Sequence, residues 1–413
     1  MREPGAGELE LVIDVLAAGG DALGRAGDGR VVFVPYAAPG ERVRVRLVEE
    51  HRQYARAELV EVMSASPERV EPPCPLFRDR ICGGCAWQHL AYPAQVRAKQ
   101  QIAASALRRA IARGLELLPI EAPVEPYRWR RRARLHWVRP PSSAAAVIGL
   151  YAPRSHQVTA VEACPQVEPA LEGALEPLHR LLAPGLFQRG EIDMLAGAAG
   201  DVQVAVRGPC RRGAAEALVS EGGLAGVILG RQVFGAAAVE IEPGQWGQAD
   251  RFAQASRAGN RSLHAAVDRG ARPRDGARVL ELHAGSGNLT RVLADGAASV
   301  LAVDGRPGRP ASAPNVRWRI GAVEEVTAQL ADGGQRFDLV VLDPPREGAR
   351  PLCQPIAALE PHRIVYVSCD PATLARDLDQ LDGHGYAARW AQPVDLMPQT
   401  SHVELVVALD RAR

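Results

Sequence analysis

Two apolar runs in this chain end in residues able to do chemistry. Arg363-Ile364-Val365-Tyr366-Val367-Ser368 leads into Cys369-Asp370-Pro371, and Leu339-Val340-Val341-Leu342 leads into Asp343-Pro344-Pro345-Arg346. In open α/β sheets, ligands sit beyond the carboxyl ends of the strands. An acid and a thiol at two such tips describe one pocket, and they point to an enzyme using cysteine as a covalent nucleophile. A third reactive group is Glu404, which follows Gln399-Thr400-Ser401-His402 at the head of a last hydrophobic run. Desolvation there would raise its pKa towards that of a useful base; at an exposed strand start it would be ordinary.

Glu281-Leu282-His283-Ala284-Gly285-Ser286-Gly287-Asn288 lies between an apolar run and a helical pattern. Glycines in that position let backbone approach a ligand and leave amides free. The next run ends in Asp304, where a ribose hydroxyl would need an acceptor. A Gly-x-Gly without a third glycine, followed by that acid, fits S-adenosylmethionine better than a dinucleotide. A tight turn with a capping acid is the plainer alternative.

Cys74, Cys82 and Cys85, with Cys164 far downstream, supply four soft thiolates suited to structural zinc or to an iron–sulfur cluster. The spacing leaves that choice open. Residues 127–139 hold six arginines interleaved with Tyr127, Trp129, His136 and Trp137. Such a stretch can neutralise phosphates and stack unpaired bases, or simply form a solvated basic strand.

The elements that must position these groups can be read around them. A chain of 413 residues, 47% hydrophobic and 23% charged, is an ordinary globular composition with room for several cores. Its net charge of +1 does not advertise nucleic-acid binding, so any such contact must come from local patches. No apolar run is long enough to span a bilayer and no secretory leader is evident, so the expected location is cytoplasmic. Seven cysteines without a secretion signal favour metal ligands and a reactive thiol over a disulfide framework. Lys99 is the sole lysine.

Residues 9–63 alternate with period two between Gly and Pro turns, which predicts a small β-barrel of the oligonucleotide-binding kind. Arg42, Arg44 and Arg46 would share one face of a strand, open to solvent or RNA. A helix is expected over 94–113, a mostly β segment over 125–240, and alternating strands and helices from Gly276 onward. That last pattern predicts a parallel, doubly wound sheet. The fold class is therefore α/β multidomain. We expect a barrel at residues 1–66, a cysteine loop at 67–93 and a packing helix at 94–122. A central, mostly β unit is expected at 123–242 and a Rossmann-like unit at 243–413.

Taken together, Cys-Pro…Cys-Gly-Gly-Cys, Asp-Pro-Pro-Arg, Val-Ser-Cys-Asp-Pro-Ala-Thr and the closing Thr-Ser-His-Val-Glu resemble the RNA uracil-5-methyltransferase family over nearly the whole length. The resemblance implies an N-terminal TRAM barrel and a [4Fe-4S] cluster on Cys74, Cys82, Cys85 and Cys164. It implies S-adenosylmethionine held by Gln248, His283, Gly285, Asn288, Asp304 and Asp343, with Cys369 as nucleophile and Glu404 as base. The TRAM barrel favours 23S ribosomal RNA over transfer RNA as substrate. No protein partner is implied.

Departures from the family pattern gather at the adenosine end. His283 and Ala284 replace an aromatic and a cysteine. Trp246 and Asp250 flank Gln248 in place of Phe and Asn, and Ala322 replaces a polar contact. The stretch from Asp304 to Asn315 is short and proline-rich for the usual helix. Two other readings are an amino-group methyltransferase and an iron–sulfur RNA-binding protein without methyl transfer. The first usually has an aromatic after its Asp-Pro-Pro and needs no strand-tip cysteine.

Overall fold

The computed structural model describes residues 8–272, 275–307 and 313–412. Strands β1 (Glu8–Leu16), β2 (Ala22–Arg25), β3 (Val31–Val34), β4 (Arg42–Glu50) and β5 (Tyr54–Ser64) close into a barrel. Alternation fills it: Leu11, Ile13, Val43 and Val45 point inward and are buried. The three arginines of β4 keep the predicted alternation: Arg42 and Arg46 are exposed, Arg44 is buried, and each has an acidic partner. Arg42 pairs with Glu10 at 3.1 Å, Arg44 with Glu61 at 2.9 Å and Arg46 with Glu58 at 3.5 Å. Gly20, at φ 94°, turns the chain against the cysteine loop; a Cβ there would lie 3.1 Å from that of Ala86. The buried Trp87 indole donates to the Gly20 carbonyl at 2.9 Å and fixes this junction.

Helix α1 (Tyr92–Ala106) follows the loop and serves two cores. Ala98 and Ile102 pack into the barrel's core, whereas Ala103 and Leu107 pack into that of the C-terminal sheet. Lys99, fully buried, donates to Asp395 at 2.6 Å and to the Met397 carbonyl at 2.9 Å. A two-residue strand, β6 (Glu116–Leu117), then joins the far edge of the C-terminal sheet.

The central unit is a seven-stranded sheet of β7 (Arg132–Val138), β8 (Val147–Tyr151), β9 (Val158–Ala160), β10 (Arg189–Ala196), β11 (Val202–Arg207), β12 (Gly226–Leu229) and β13 (Gln232–Gly235). A hairpin of β14 (Val239–Glu242) and β15 (Gln245–Gly247) leads out of it. Helix α2 (Arg257–Gly270) is capped by Ser256, whose hydroxyl accepts from the Gly259 amide at 3.0 Å.

The C-terminal sheet contains β16 (Arg278–Leu282), β17 (Ser299–Asp304), β18 (Val316–Ile320), β19 (Leu339–Leu342), β20 (Arg363–Ser368), β21 (Tyr386–Val394) and β22 (Glu404–Arg411). Its order is β18-β17-β16-β19-β20-β22-β21-β6. Strands β16 to β20 are parallel, as expected, and β19 and β20 read as apolar runs because helices cover both faces. The sheet is not parallel throughout. Strand β22 runs antiparallel to both β20 and β21. Residues 308–312, within the short proline-rich stretch, lie outside the described residues. Among the described residues no helix is long and apolar enough to cross a membrane.

Candidate active site and cofactor cleft

The antiparallel β22 decides the geometry of the site. Ser368 of β20 pairs with Leu405 of β22, so the residue that leaves β20, Cys369, meets the residue that opens β22, Glu404. Leu342 of β19 pairs with Tyr366 of β20, which brings Asp343 to the same end of the sheet. Asp343, Cys369 and Glu404 thus terminate three neighbouring strands. A thiol thirty-five residues from a carboxylate becomes its neighbour because the last strand reverses.

Local chemistry holds each tip. Asp370 caps helix α3 (Pro371–Gly383), its carboxylate accepting from the amides of Ala372 at 3.0 Å and Thr373 at 2.8 Å. Pro371 sits in the first turn, where its missing N–H costs nothing, so Cys369 is held between strand end and helix start. The Asp343-Pro344-Pro345-Arg346 loop is closed by the buried Asp377. It accepts from the Ala349 amide at 2.7 Å and from the Tyr366 hydroxyl at 2.8 Å. Arg346 donates to His402 Nε2 at 3.2 Å.

Burial pushes the Asp343 and Glu404 carboxyls well above the usual range, and Asp343 raises Glu404 further while Arg346 opposes it. Burial also pushes the Cys369 thiol up to about 11, with Glu404 and Asp343 adding to the rise and Arg346 opposing it. His402 is pushed down to about 4 by burial and nearby cations, so its ring is neutral. Cys369, Arg346 and His402 line a cleft of about 470 Å³ whose other walls are Gly19 of the barrel and Gly83 to Ala86 of the cysteine loop.

The candidate cofactor residues form a second group at the tips of β16 and β17. His283 adopts φ 59°, which strains a non-glycine residue and turns the chain sharply into the glycine loop. The Gly285 amide donates to Asp304 Oδ2 at 2.9 Å and the Arg306 amide to Oδ1 at 2.7 Å. A Cβ on Gly285 would meet nothing within 4 Å, so the loop faces open space. The Asp343 amide donates to the Leu282 carbonyl at 3.3 Å, which joins this group to the reactive tips.

Asn288 and Gln248 stand apart. The Asn288 amide exchanges hydrogen bonds with Asn260 at 3.0 and 2.8 Å, and its oxygen also accepts from His264. Gln248, on the loop after β15, donates to the Ala237 carbonyl at 3.1 Å.

Comparison with known proteins decides the family. Residues 8–60 match the TRAM domain, and residues 329–412 match the tRNA (Uracil-5-)-methyltransferase family. The 23S rRNA (uracil(1939)-C(5))-methyltransferase RlmD of Edwardsiella ictaluri is 32% identical, covering 97% of this chain and 96% of that protein. An uncharacterized RNA methyltransferase of Gloeobacter violaceus is 34% identical, covering 99% of each chain. This chain belongs to the RNA uracil-C5 methyltransferase family. Among solved structures, the Pyrococcus abyssi tRNA (uracil-54, C5)-methyltransferase in complex with S-adenosyl-L-homocysteine superposes with a TM-score of 0.72. It covers 97% of this chain and 100% of its own at 20% identity, a likeness of fold.

In this family member the four cysteines of the predicted metal set converge. Cys74, Cys82, Cys85 and Cys164 line one apolar cavity of about 80 Å³ with Leu76, Phe77, Leu135 and Leu150. Backbone amides already serve two of the sulfurs: Gly84 donates to Cys82 at 3.4 Å, and Gln166 and Val167 donate to Cys164. Among the described residues no group of three or more Cys, His, Asp or Glu side chains is placed to hold a metal ion.

Glu281 was missed as a site residue. It is buried in β16, its Oε2 lacks a hydrogen-bond partner, and burial pushes its carboxyl up to about 8. An acid inside an apolar strand directly before Gly-x-Gly was the available signal. With Asp304 and Asp343 it sets three acids around the glycine loop, and a cationic ligand there would favour the ionised forms of the two that burial raises.

Proposed function

We propose that this protein methylates carbon 5 of a uridine in RNA, with 23S rRNA as the substrate, through a transient bond between Cys369 and carbon 6. What supports this reading is the juxtaposition of Asp343, Cys369 and Glu404 at the ends of three adjacent strands. Carbon 5 of uracil is a weak nucleophile. When Cys369 Sγ bonds to carbon 6, the ring's double-bond electrons move onto carbon 5 and O4, and carbon 5 becomes enolate-like. S-adenosylmethionine supplies the methyl group, as a sulfonium. Glu404 then removes the carbon 5 proton, and the released pair re-forms the ring double bond as Sγ leaves. Arg346 is the cation that favours both the thiolate and the ionised Glu404.

Residues His283, Gly285, Asn288, Asp304, Asp343 and Gln248 are proposed to hold the methyl donor, joined by Glu281. The acids would meet its positive charges and Gly285 would admit it closely. A [4Fe-4S] cluster on Cys74, Cys82, Cys85 and Cys164 is proposed as a structural group. The loop that bears it also walls the Cys369 cleft, with Ala86 and Trp87 amides donating to the Gln399 carbonyl at 2.8 and 3.1 Å. The proposed division of labour gives residues 1–66 and 123–242 to RNA, 67–93 to the cluster, 94–122 to packing and 243–413 to methyl transfer.

RNA carrying 5-fluorouracil at the target tests the chemistry, because fluorine cannot leave as a proton does. A covalent protein–RNA adduct is expected, and its survival in Cys369→Ala would overturn the assignment. Nucleoside mass spectrometry of ribosomal and transfer RNA from a deletion strain identifies the substrate. Iron and sulfide analysis of anaerobically purified protein tests the cluster, and stoichiometric zinc would refute it.

A further inference from the structure

The central sheet carries a charge arrangement that the reaction does not use. Asp193 of β10 is fully buried, and three arginines converge on it: Arg134 at 2.8 Å, Arg207 at 3.0 Å and Arg132 at 3.5 Å. A buried carboxylate needs compensation, but one guanidinium supplies it. Glu191, 3.3 Å from Arg134, offsets a second guanidinium; the one positive charge left over is fixed on the sheet face, and Arg134 and Arg207 stay nearly half exposed, with side-chain exposures of 40% and 45%. Guanidinium forks anchored at one edge present their other N–H groups in a set geometry, which suits phosphate oxygens.

Arg207 also forms a wall of an open pocket of about 690 Å³ between the central and C-terminal units. The other side chains there include Asp250, Arg251, Phe252 and Arg306. Phe252 is 61% exposed, a large aromatic ring left in water at a cation-lined pocket. Such a ring costs solvation unless something covers it. An aromatic face beside several guanidinium groups matches an unpaired nucleobase and its flanking phosphates.

We propose that this pocket binds an unpaired nucleotide of the RNA substrate other than the target uridine. Phe252 stacks on its base, and Arg207, Arg251 and Arg306 meet its phosphates. The assignment rests on the reading of the chain as an RNA-acting enzyme, and it names where a second base is held while the target occupies the Cys369 cleft. The pocket's segments continue into candidate donor-binding residues, since Phe252 follows Gln248 and Arg306 follows Asp304.

The test is fluorescence anisotropy of the full-length protein with a labelled single-stranded oligoribonucleotide about a dozen nucleotides long, across a salt series. Phe252→Leu is expected to weaken binding about 10-fold, within the range for one stacked base, and Phe252→Tyr to restore it. Arg251→Gln and Arg306→Gln should each flatten the plot of log affinity against log salt by about 0.7. Calorimetry with S-adenosylhomocysteine should give wild-type affinity in all four variants. Unchanged RNA affinity and slope, or a wild-type protein that does not bind the strand, would overturn the proposal. So would a parallel loss of S-adenosylhomocysteine affinity, which would assign the pocket to the methyl donor. Failure of uridine methylation itself is read separately, from the nucleoside analysis.

Discussion

At the tips of β19, β20 and β22 the reactive groups Asp343, Cys369 and Glu404 gather at one end of the sheet. In residues 127–139, by contrast, five of the six arginines have partners within the protein. Arg131, with its side chain 1% exposed, donates to the carbonyls of Gln254 and Ile241 and to Glu242. Arg139 donates to the carbonyls of Ala144, Pro184 and Leu186. Arg128 pairs with Glu172. The aromatics are spent too, since Trp129 and Trp137 are buried with their indoles bonded to Gln166 and the Phe187 carbonyl. A guanidinium has five donors and satisfies carbonyls well, so an arginine in sequence has many structural uses. A carboxylate or thiol ending an apolar strand has few, and its presence there is informative.

The largest contrast is at Cys369. Cys369→Ala should lower methyl transfer by at least about 10,000-fold, since removing a nucleophile removes the pathway. S-adenosylhomocysteine binding should survive. Cys353→Ala is the control. That thiol is buried in the core, its Sγ 3.5 Å from the Ala349 carbonyl, and its loss should lower thermal stability and leave turnover per folded molecule unchanged.

Glu404→Gln should reduce turnover by about 100- to 10,000-fold and let the methylated Cys369 adduct accumulate, visible as a shifted band on denaturing gels. The same carboxyl sets a pH dependence. It must be ionised to take the carbon 5 proton, and burial raises it, so the wild-type rate should climb as pH passes from about 7 to about 8. Stability runs the other way. A carboxyl raised in the folded state stabilises the fold while protonated, and that contribution is lost as pH rises through the raised value. Thermal melts above pH 8 should therefore show Glu404→Gln more stable than wild type, and a less stable variant would refute the burial argument.

How far the sequence carried this picture depends on what each residue had to declare. The parallel strands were legible from their apolar runs, and Cys369 and Asp343 from the way those runs ended. Strand β22 was legible as a strand but not in direction, and direction makes Glu404 the neighbour of Cys369. Strand β21 hides because Tyr-Ala-Ala-Arg-Trp-Ala-Gln-Pro-Val lacks clean alternation, and β2 because four residues leave little pattern. The convergence of Cys164 on the three earlier cysteines depends on the central sheet, which no local spacing encodes. Lys99 shows the reverse case. One lysine in an arginine-rich chain declares no role in the sequence, yet it is the fully buried partner of Asp395, where a compact ammonium fits.

Arg131 and Arg42 test the arginine side of the comparison, in decreasing order of effect. Arg131→Met removes a buried cation and leaves Glu242 and the Gln254 carbonyl without this donor, while Ile241 keeps Arg257 at 3.1 Å; the loss should cost about 3–5 kcal/mol in chemical denaturation. Arg42→Gln removes an exposed member of a barrel ion pair, with both partners at least one-third exposed. Surface pairs contribute about 0–1 kcal/mol, so stability should barely move. Its guanidinium is committed to Glu10, which Arg44 also reaches at 3.5 Å, so neutralising Arg42 leaves that carboxylate only partly compensated. RNA affinity should then change by the sum of a lost cation and an unmasked anion, an effect that salt screens over about 10 Å. At low salt Arg42→Gln should bind RNA less well than wild type, and Arg42→Gln combined with Glu10→Gln should recover most of the loss. A double variant as weak as the single one would mean that Arg42 touches phosphate directly and that the barrel face is open to RNA after all.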